Sequence, residues 1–214
     1  MPKTPLFQTQ ECTDQDCGFR FPVLMDVNAP ETCPKCGSLL HSVGDVYPRH
    51  FVGEGQQPPN SLEVHVLLDN IRSLYNVGSI FRTAEALGIT KLHLCGMTAT
   101  PENPRLAKTA LGAEKLVTWE HHNNGLWAAR LLREQQFDLW AIEGGERSVP
   151  LFEMRIPAGA RKIALVIGNE LAGVDPAILA IADRVLYIPM LGEKESLNLT
   201  VAFGVAAYFV RYLE

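Results

Sequence analysis

The segment Lys162-Ile163-Ala164-Leu165-Val166-Ile167 is apolar at every position after its lysine. Successive residues of a strand point to opposite faces, so an unbroken apolar strand has to be covered on both sides. That requirement selects an interior strand of a parallel sheet with helices packed on each face. Residues 62–68, 91–95, 116–119, 137–142 and 185–188 read as further strands. Helical patterning occupies residues 79–87, closed by Gly88, then 125–135, 175–182 and 197–212. Strand and helix alternating from residue 62 to the end predict an α/β fold with a mostly parallel sheet. Hydrophobic residues make up 47% and charged residues 20% of the 214, enough to fill such a core. No apolar run reaches the length of a bilayer span, and residues 1–7 lack an apolar signal core, so the expectation is a cytoplasmic protein, not a membrane one.

The first part of the chain is built differently. Cys12, Cys17, Cys33 and Cys36 fall within 36 residues, and Cys95 is the only other cysteine. In a reducing compartment, clustered thiols point to metal. Each pair sits on a tight turn, and Gly18 and Gly37 follow the second cysteine of each, where a turn calls for positive φ. Two such turns offer four thiolates in tetrahedral array, which suits one structural zinc; the alternatives are two disulfides or four unconnected buried thiols. The residues between Cys17 and Cys33 are enough for a hairpin. His41 and His50 read as bystanders. The polar stretch Gly53-Glu54-Gly55-Gln56-Gln57-Pro58-Pro59-Asn60 reads as a linker. The expected organisation is a zinc-ribbon-like module over 1–47, a linker over 48–61 and a larger domain over 62–214.

Three loops of the larger domain carry polar residues beside glycines. In Asn76-Val77-Gly78-Ser79-Ile80-Phe81-Arg82-Thr83-Ala84, Asn76 stands at a helix entry, Gly78 allows close backbone approach, and Arg82 falls one turn later. A cation there opposes the helix dipole, which points to an anionic partner; the bland reading is a solvated surface arginine. In Val166-Ile167-Gly168-Asn169-Glu170-Leu171-Ala172-Gly173-Val174, the interior strand ends in a glycine loop holding Glu170. Loops at the carboxyl ends of parallel strands are where such sheets bind ligands. In Ile188-Pro189-Met190-Leu191-Gly192-Glu193-Lys194-Glu195-Ser196-Leu197-Asn198-Leu199-Thr200, a strand runs into a loop, and Ser196 is placed to cap the next helix. That helix is apolar nearly all round, which predicts packing against a second subunit as well as the sheet. Neither a dinucleotide fingerprint nor a P-loop is present.

In this order the three segments resemble the motifs of the SpoU family of SPOUT RNA methyltransferases, over residues 62–214. The resemblance implies a knotted α/β fold and a bent S-adenosylmethionine held largely by backbone. It implies cofactor contacts from Gly168, Ile188, Met190, Ser196 and Leu197, with Ile142 at the matching end of the preceding strand. It further implies a homodimer and 2′-O-ribose methylation of tRNA or rRNA, with Arg82 acting at the ribose and Asn76, Glu170 and Asn198 as the other polar motif positions. A guanidinium keeps its proton at neutral pH, so Arg82 is expected to orient and stabilise charge, and the proton acceptor is left open. The net charge is −5, shared as −3 before residue 62 and −2 after it, so a broadly basic nucleic-acid footprint is absent. The competing expectation is a non-catalytic RNA- or ribosome-binding protein on the same fold. The cysteine module has three candidate partners: RNA, protein, or the other subunit.

Overall fold

The structure is a computed structural model describing residues 5–25, 30–48, 60–155, 161–194 and 196–212. Glu195 and residues 49–59 of the expected linker over 48–61, His50 among them, lie outside the described residues. The chain divides into two compact units, Met1–Gln56 and Gln57–Glu214.

The first unit is a three-stranded antiparallel sheet of β1 (Leu6–Cys12), β2 (Arg20–Leu24) and β3 (Leu40–Pro48), in the order β2-β1-β3. Only Gln10, Cys12 and Cys33 are buried among its described residues, too little apolar mass to hold a fold of this size unaided. Both cysteine turns have the expected form: Gly18 and Gly37 take φ of +53° and +80°, and the Gly37 amide donates to the Cys33 carbonyl at 2.9 Å. In the stretch between Cys17 and Cys33, where a hairpin is expected, residues 26–29 lie outside the described residues, and the strand described there is β2. It returns onto β1 across the first cysteine turn, because the Cys12 amide pairs with the Phe19 carbonyl.

The second unit holds a seven-stranded sheet. Its elements are β4 (Glu63–Asp69), α1 (Leu74–Ala86), β5 (Lys91–Cys95), α2 (Ala107–Ala110), β6 (Thr118–His122), α3 (Gly125–Glu134), β7 (Asp138–Ile142), β8 (Val149–Pro150), β9 (Lys162–Ile167), α4 (Pro176–Ile181), β10 (Arg184–Tyr187) and α5 (Leu199–Tyr212). The order is β6-β5-β4-β9-β7-β10-β8, and every neighbouring pair is parallel. The apolar segment β9 is the central strand. Ile163, Leu165 and Ile167 enter one core with Ile80, Phe81 and Phe203, while Ala164 and Val166 enter another with Ala129, Leu132 and Ile178. Helices α1 and α5 cover the first face, α3 and α4 the second. Burying one such aliphatic side chain contributes about 1.5–3 kcal/mol, so both faces are committed to the fold.

Three expected boundaries move. Helix α1 starts at Leu74, capped by the Ser73 hydroxyl, so Asn76 and Gly78 are helical and Arg82 stands well beyond the first turn. The dipole argument for Arg82 therefore does not apply. The glycine that reads as a loop residue lets α1 meet α2: a Cβ on Gly78 would overlap the Thr109 side chain. Strand β6 begins at Thr118, because the Leu116 and Val117 amides bond back to the Ala113 carbonyl at the end of a 3-10 turn over Ala113–Lys115. Helix α5 begins at Leu199 and is capped by Asn198, whose Oδ1 accepts from the Thr200 amide at 2.9 Å; Ser196 lies before the cap. No helix among the described residues is long and apolar enough to cross a membrane.

Candidate active site

Strands β9, β7 and β10 are neighbours, so the loops leaving their carboxyl ends meet. Between them lies an open cavity of about 920 Å³. Each loop is shaped by one or two residues. At the end of β9, a Cβ on Gly168 would overlap the backbone of Gly173 and Val174, so only glycine fits where the loop folds back on itself. Asn169 and Gly173 exchange two backbone hydrogen bonds of 2.9 Å, and the Asn169 side chain accepts from the Leu171 and Ala172 amides. Asn169 Nδ2 also donates to the Asn70 carbonyl at 2.7 Å, tying this loop to the one leaving β4.

Glu170 makes the second tie. Its carboxylate accepts from the Arg72 amide, the Ser73 amide and Asn76 Nδ2, each at 2.9 Å. These backbone donors lie just ahead of α1, where amides lack helical partners. Partial burial pushes the Glu170 carboxyl up, but the amides of Arg72 and Ser73 and the Asn76 side chain outweigh it and hold the group below its ordinary range. Glu170 is therefore an anion fixed between two loops, poorly suited to taking a proton. Asp69 differs: burial raises its carboxyl despite bonds from the Asp175 amide and Asn70 Nδ2.

Nine of the ten residues expected at the active site line this cavity: Asn76, Ile142, Gly168, Glu170, Ile188, Met190, Ser196, Leu197 and Asn198. Arg82 does not line it. It is exposed on the outer run of α1, away from the helix end that faces the cavity. Sequence reading missed Glu143 and Gly144-Gly145, which also line it. Glu143 accepts from the Val174 amide at 3.0 Å and from the Gly144 amide at 3.1 Å, and it occupies the space a Cβ on Gly173 would need. The signal was available: the apolar end of β7 passes directly into Glu-Gly-Gly, as β9 passes into Gly-Asn-Glu.

In the first unit, the four thiols converge so that all their sulfurs lie within 4.8 Å of one another. Cys12 and Cys36 stand 3.4 Å apart, Cys17 and Cys33 3.8 Å, so neither pair is a disulfide. Zinc–thiolate bonds of about 2.3 Å at tetrahedral angles put sulfurs roughly 3.8 Å apart, so this set fits the ion. The Ser38 hydroxyl and amide hold the Cys36 thiol down at about 6.

A parallel sheet with a cavity walled by glycine loops at the ends of adjacent strands defines an α/β protein that takes a small ligand at its carboxyl edge. The profile of the SpoU rRNA methylase family matches residues 63–208, and the chain belongs to that family. A tRNA (guanosine(18)-2′-O)-methyltransferase from Thermus thermophilus is 32% identical over 146 residues, 68% of this chain and 73% of its own. The 23S rRNA (guanosine(2553)-2′-O)-methyltransferase of Bacillus subtilis is 33% identical over 147 residues, 68% of this chain but 57% of its own. The TrmH/SpoU tRNA modifying enzyme of Aquifex aeolicus superposes with a TM-score of 0.61 at 30% identity, covering 70% of this chain and 74% of that one. The AviRb methyltransferase of Streptomyces viridochromogenes, solved with AdoMet, shares the fold at 23% identity and a TM-score of 0.61, over 81% of this chain and 65% of its own.

Proposed function

We propose that the protein transfers a methyl group from S-adenosylmethionine to a ribose 2′-hydroxyl of structured RNA, tRNA or rRNA. The observation that carries this is the convergence on one cavity of Asn76 from the first motif with the loops of the second and third. The backbone around Gly168, with Ile188, Met190 and Leu197, makes an apolar slot with polar edges for an adenine, and Ile142 and Ser196 complete the wall. Bound there, the cofactor supplies a methyl group on a sulfonium. Displacement at that carbon needs alignment more than covalent help, which the loops fixed by Glu170 and Asn169 provide. Asn76, held on Glu170, offers a polar group at the cavity rim. Arg82 orients the RNA phosphate–ribose and stabilises charge, reached from outside the cavity by the substrate.

The same reading takes the chain as a cytoplasmic homodimer whose cofactor loop is knotted. Val201, Tyr208 and Tyr212 are exposed along α5, an apolar face that a second subunit would cover. The domain reading is a zinc-ribbon-like module over 1–47, a linker over 48–61 and a catalytic domain over 62–214, with one structural zinc on Cys12, Cys17, Cys33 and Cys36. That closed four-thiolate set keeps no position for substrate, so its zinc is structural, and the module, tethered by the linker, gives the RNA a second contact.

The test is methyl transfer from tritiated S-adenosylmethionine to total tRNA and rRNA, with cofactor binding measured by calorimetry. Incorporation supports the proposal. Cofactor binding without incorporation into any RNA would favour the non-catalytic RNA-binding reading, the one in keeping with Arg82 lying outside the cavity. Absence of both would overturn it.

A further inference from the structure

Away from the cavity, three histidines form a hydrogen-bonded row across β4, β5 and β6. His65 Nδ1 lies 3.1 Å from His93 Nε2, and His93 Nδ1 lies 3.0 Å from His122 Nε2. The strand register explains the row. His93 pairs with Glu120, and His122 follows two residues on, so all these side chains leave one face of the sheet. The row ends at carboxylates on both sides: Glu63 Oε1 is 3.3 Å from His65 Nε2, and Glu120 Oε2 is 3.9 Å from His122 Nε2. His93 is buried, whereas Glu120 and His122 sit on edge strand β6 with the glutamate side chain about half exposed (47%).

We propose that His93 Nδ1, His122 Nε2 and a Glu120 carboxylate oxygen form a second metal site, for a divalent transition ion such as zinc. Imidazole and carboxylate are the ligands such ions take, and these donor atoms all lie within 4.8 Å of one another. Two nitrogens on one tetrahedral zinc stand roughly 3.3 Å apart, close to the spacing His93 and His122 already have. The rest of the row supplies the orientation a ligating imidazole needs. His65 donates from Nε2 to Glu63, which leaves its Nδ1 as an acceptor. His93 donates to it from Nε2, which leaves the His93 Nδ1 lone pair facing His122. A carboxylate and an imidazole thus fix the ligand's tautomer from behind. Lys91 Nζ, 2.7 Å from Glu120 Oε2, is the group the ion displaces; its side chain is 30% exposed and can turn into water. Three protein ligands on an exposed edge leave a fourth position to solvent. This site differs from the cysteine cluster in its donors and does not depend on the methyltransferase reading.

The test is titration of the full chain with zinc chloride, read by calorimetry and elemental analysis. Two zinc ions per chain are expected for the native sequence and one for Glu120→Gln or His122→Ala. Cobalt distinguishes the sites, because only the cysteine cluster gives thiolate charge-transfer absorption. Should His122→Ala fail to fold, Glu120→Gln at its half-exposed side chain carries the stoichiometry. Long-range ¹H–¹⁵N spectra give a second readout: zinc is expected to move the His122 proton from Nε2 to Nδ1. Binding confined to the thiolate site, a second equivalent that survives both substitutions, or an unchanged His122 tautomer would overturn the proposal.

Discussion

Glu170 accepts a hydrogen bond from the Asn76 side chain at 2.9 Å across 94 residues of sequence. Through this bond, and the two Glu170 receives from the Arg72 and Ser73 amides, the loop after β9 fixes the start of α1. The first two motifs are thus one mechanical unit.

Replacing Glu170 by Gln keeps the shape and removes the charge that three donors share. We expect a loss of about 1–3 kcal/mol in urea unfolding, with weaker cofactor binding because the loop is less fixed. The pH dependence follows from the lowered folded-state pKa. The stability this carboxylate contributes is present above its unfolded-state value, about 4.3, and is lost as pH falls through the lower folded value. The native protein should lose stability on that acid limb more steeply than Glu170→Gln; identical acid limbs would remove Glu170 from the account.

Gly168→Ala puts a methyl group into the backbone of Gly173 and Val174. Neither neighbour has a flexible end that can yield, so the loop has to open. The expected cost is about 1–3 kcal/mol, accompanied by loss of S-adenosylmethionine binding in calorimetry. Gly204→Ala on α5, which does not line the cavity and where nothing lies within 4 Å of the added carbon, is the matched control and should bind almost normally.

Arg82→Ala should lower turnover at least about 100-fold and leave cofactor affinity within twofold, because Arg82 does not line the cavity. Calorimetry together with single-turnover methylation separates the two effects. A collapse of cofactor binding in a folded variant would assign Arg82 a different role.

Removal of zinc by a chelator, or Cys33→Ser, should unfold the first unit and leave the second intact. The first unit buries only three of its described residues, whereas the second has two apolar cores of its own. Thermal melts should keep the transition of the larger unit. Ribose methylation by a chain beginning near residue 61, with unchanged RNA affinity, would remove the RNA-holding role from the module.

The sheet was legible because β9 is apolar on both faces, and the cavity because its loops carry residues that only close backbone approach or fixed polar contacts explain. The start of α1 was not. Asn76 reads as the helix entry and Gly78 as a point of close backbone approach, but nothing local announces that the approach is that of Thr109 from α2 against a helix already begun at Leu74. The cap of α5 was misplaced for a related reason: Ser196 and Asn198 are both good caps, and the choice depends on which carbonyl the first helical amides reach. The place of Glu143 at the end of β7 was legible in its Glu-Gly-Gly run, but its partner was not, because the Val174 amide is 31 residues away. Arg82 was matched by motif position, which fixes its place on the helix but not which surface that part of the helix faces.

The central place of β9 also sets the order in which the chain can assemble. Strand β4 appears early during synthesis and finds β5 and β6 soon after, but its inner neighbour arrives only with residues 162–167. Until then β4 and β7 each present an open edge to the cell. Sheet closure therefore depends on inserting two late strands, β9 between β4 and β7 and then β10 between β7 and β8. That is a contact pattern of long sequence separation, which slows folding and prolongs exposure to wrong partners. Refolding from denaturant should accordingly show a slow phase limited by docking of β9 and β10, with hydrogen exchange in β7, whose two neighbours both arrive late, becoming protected last.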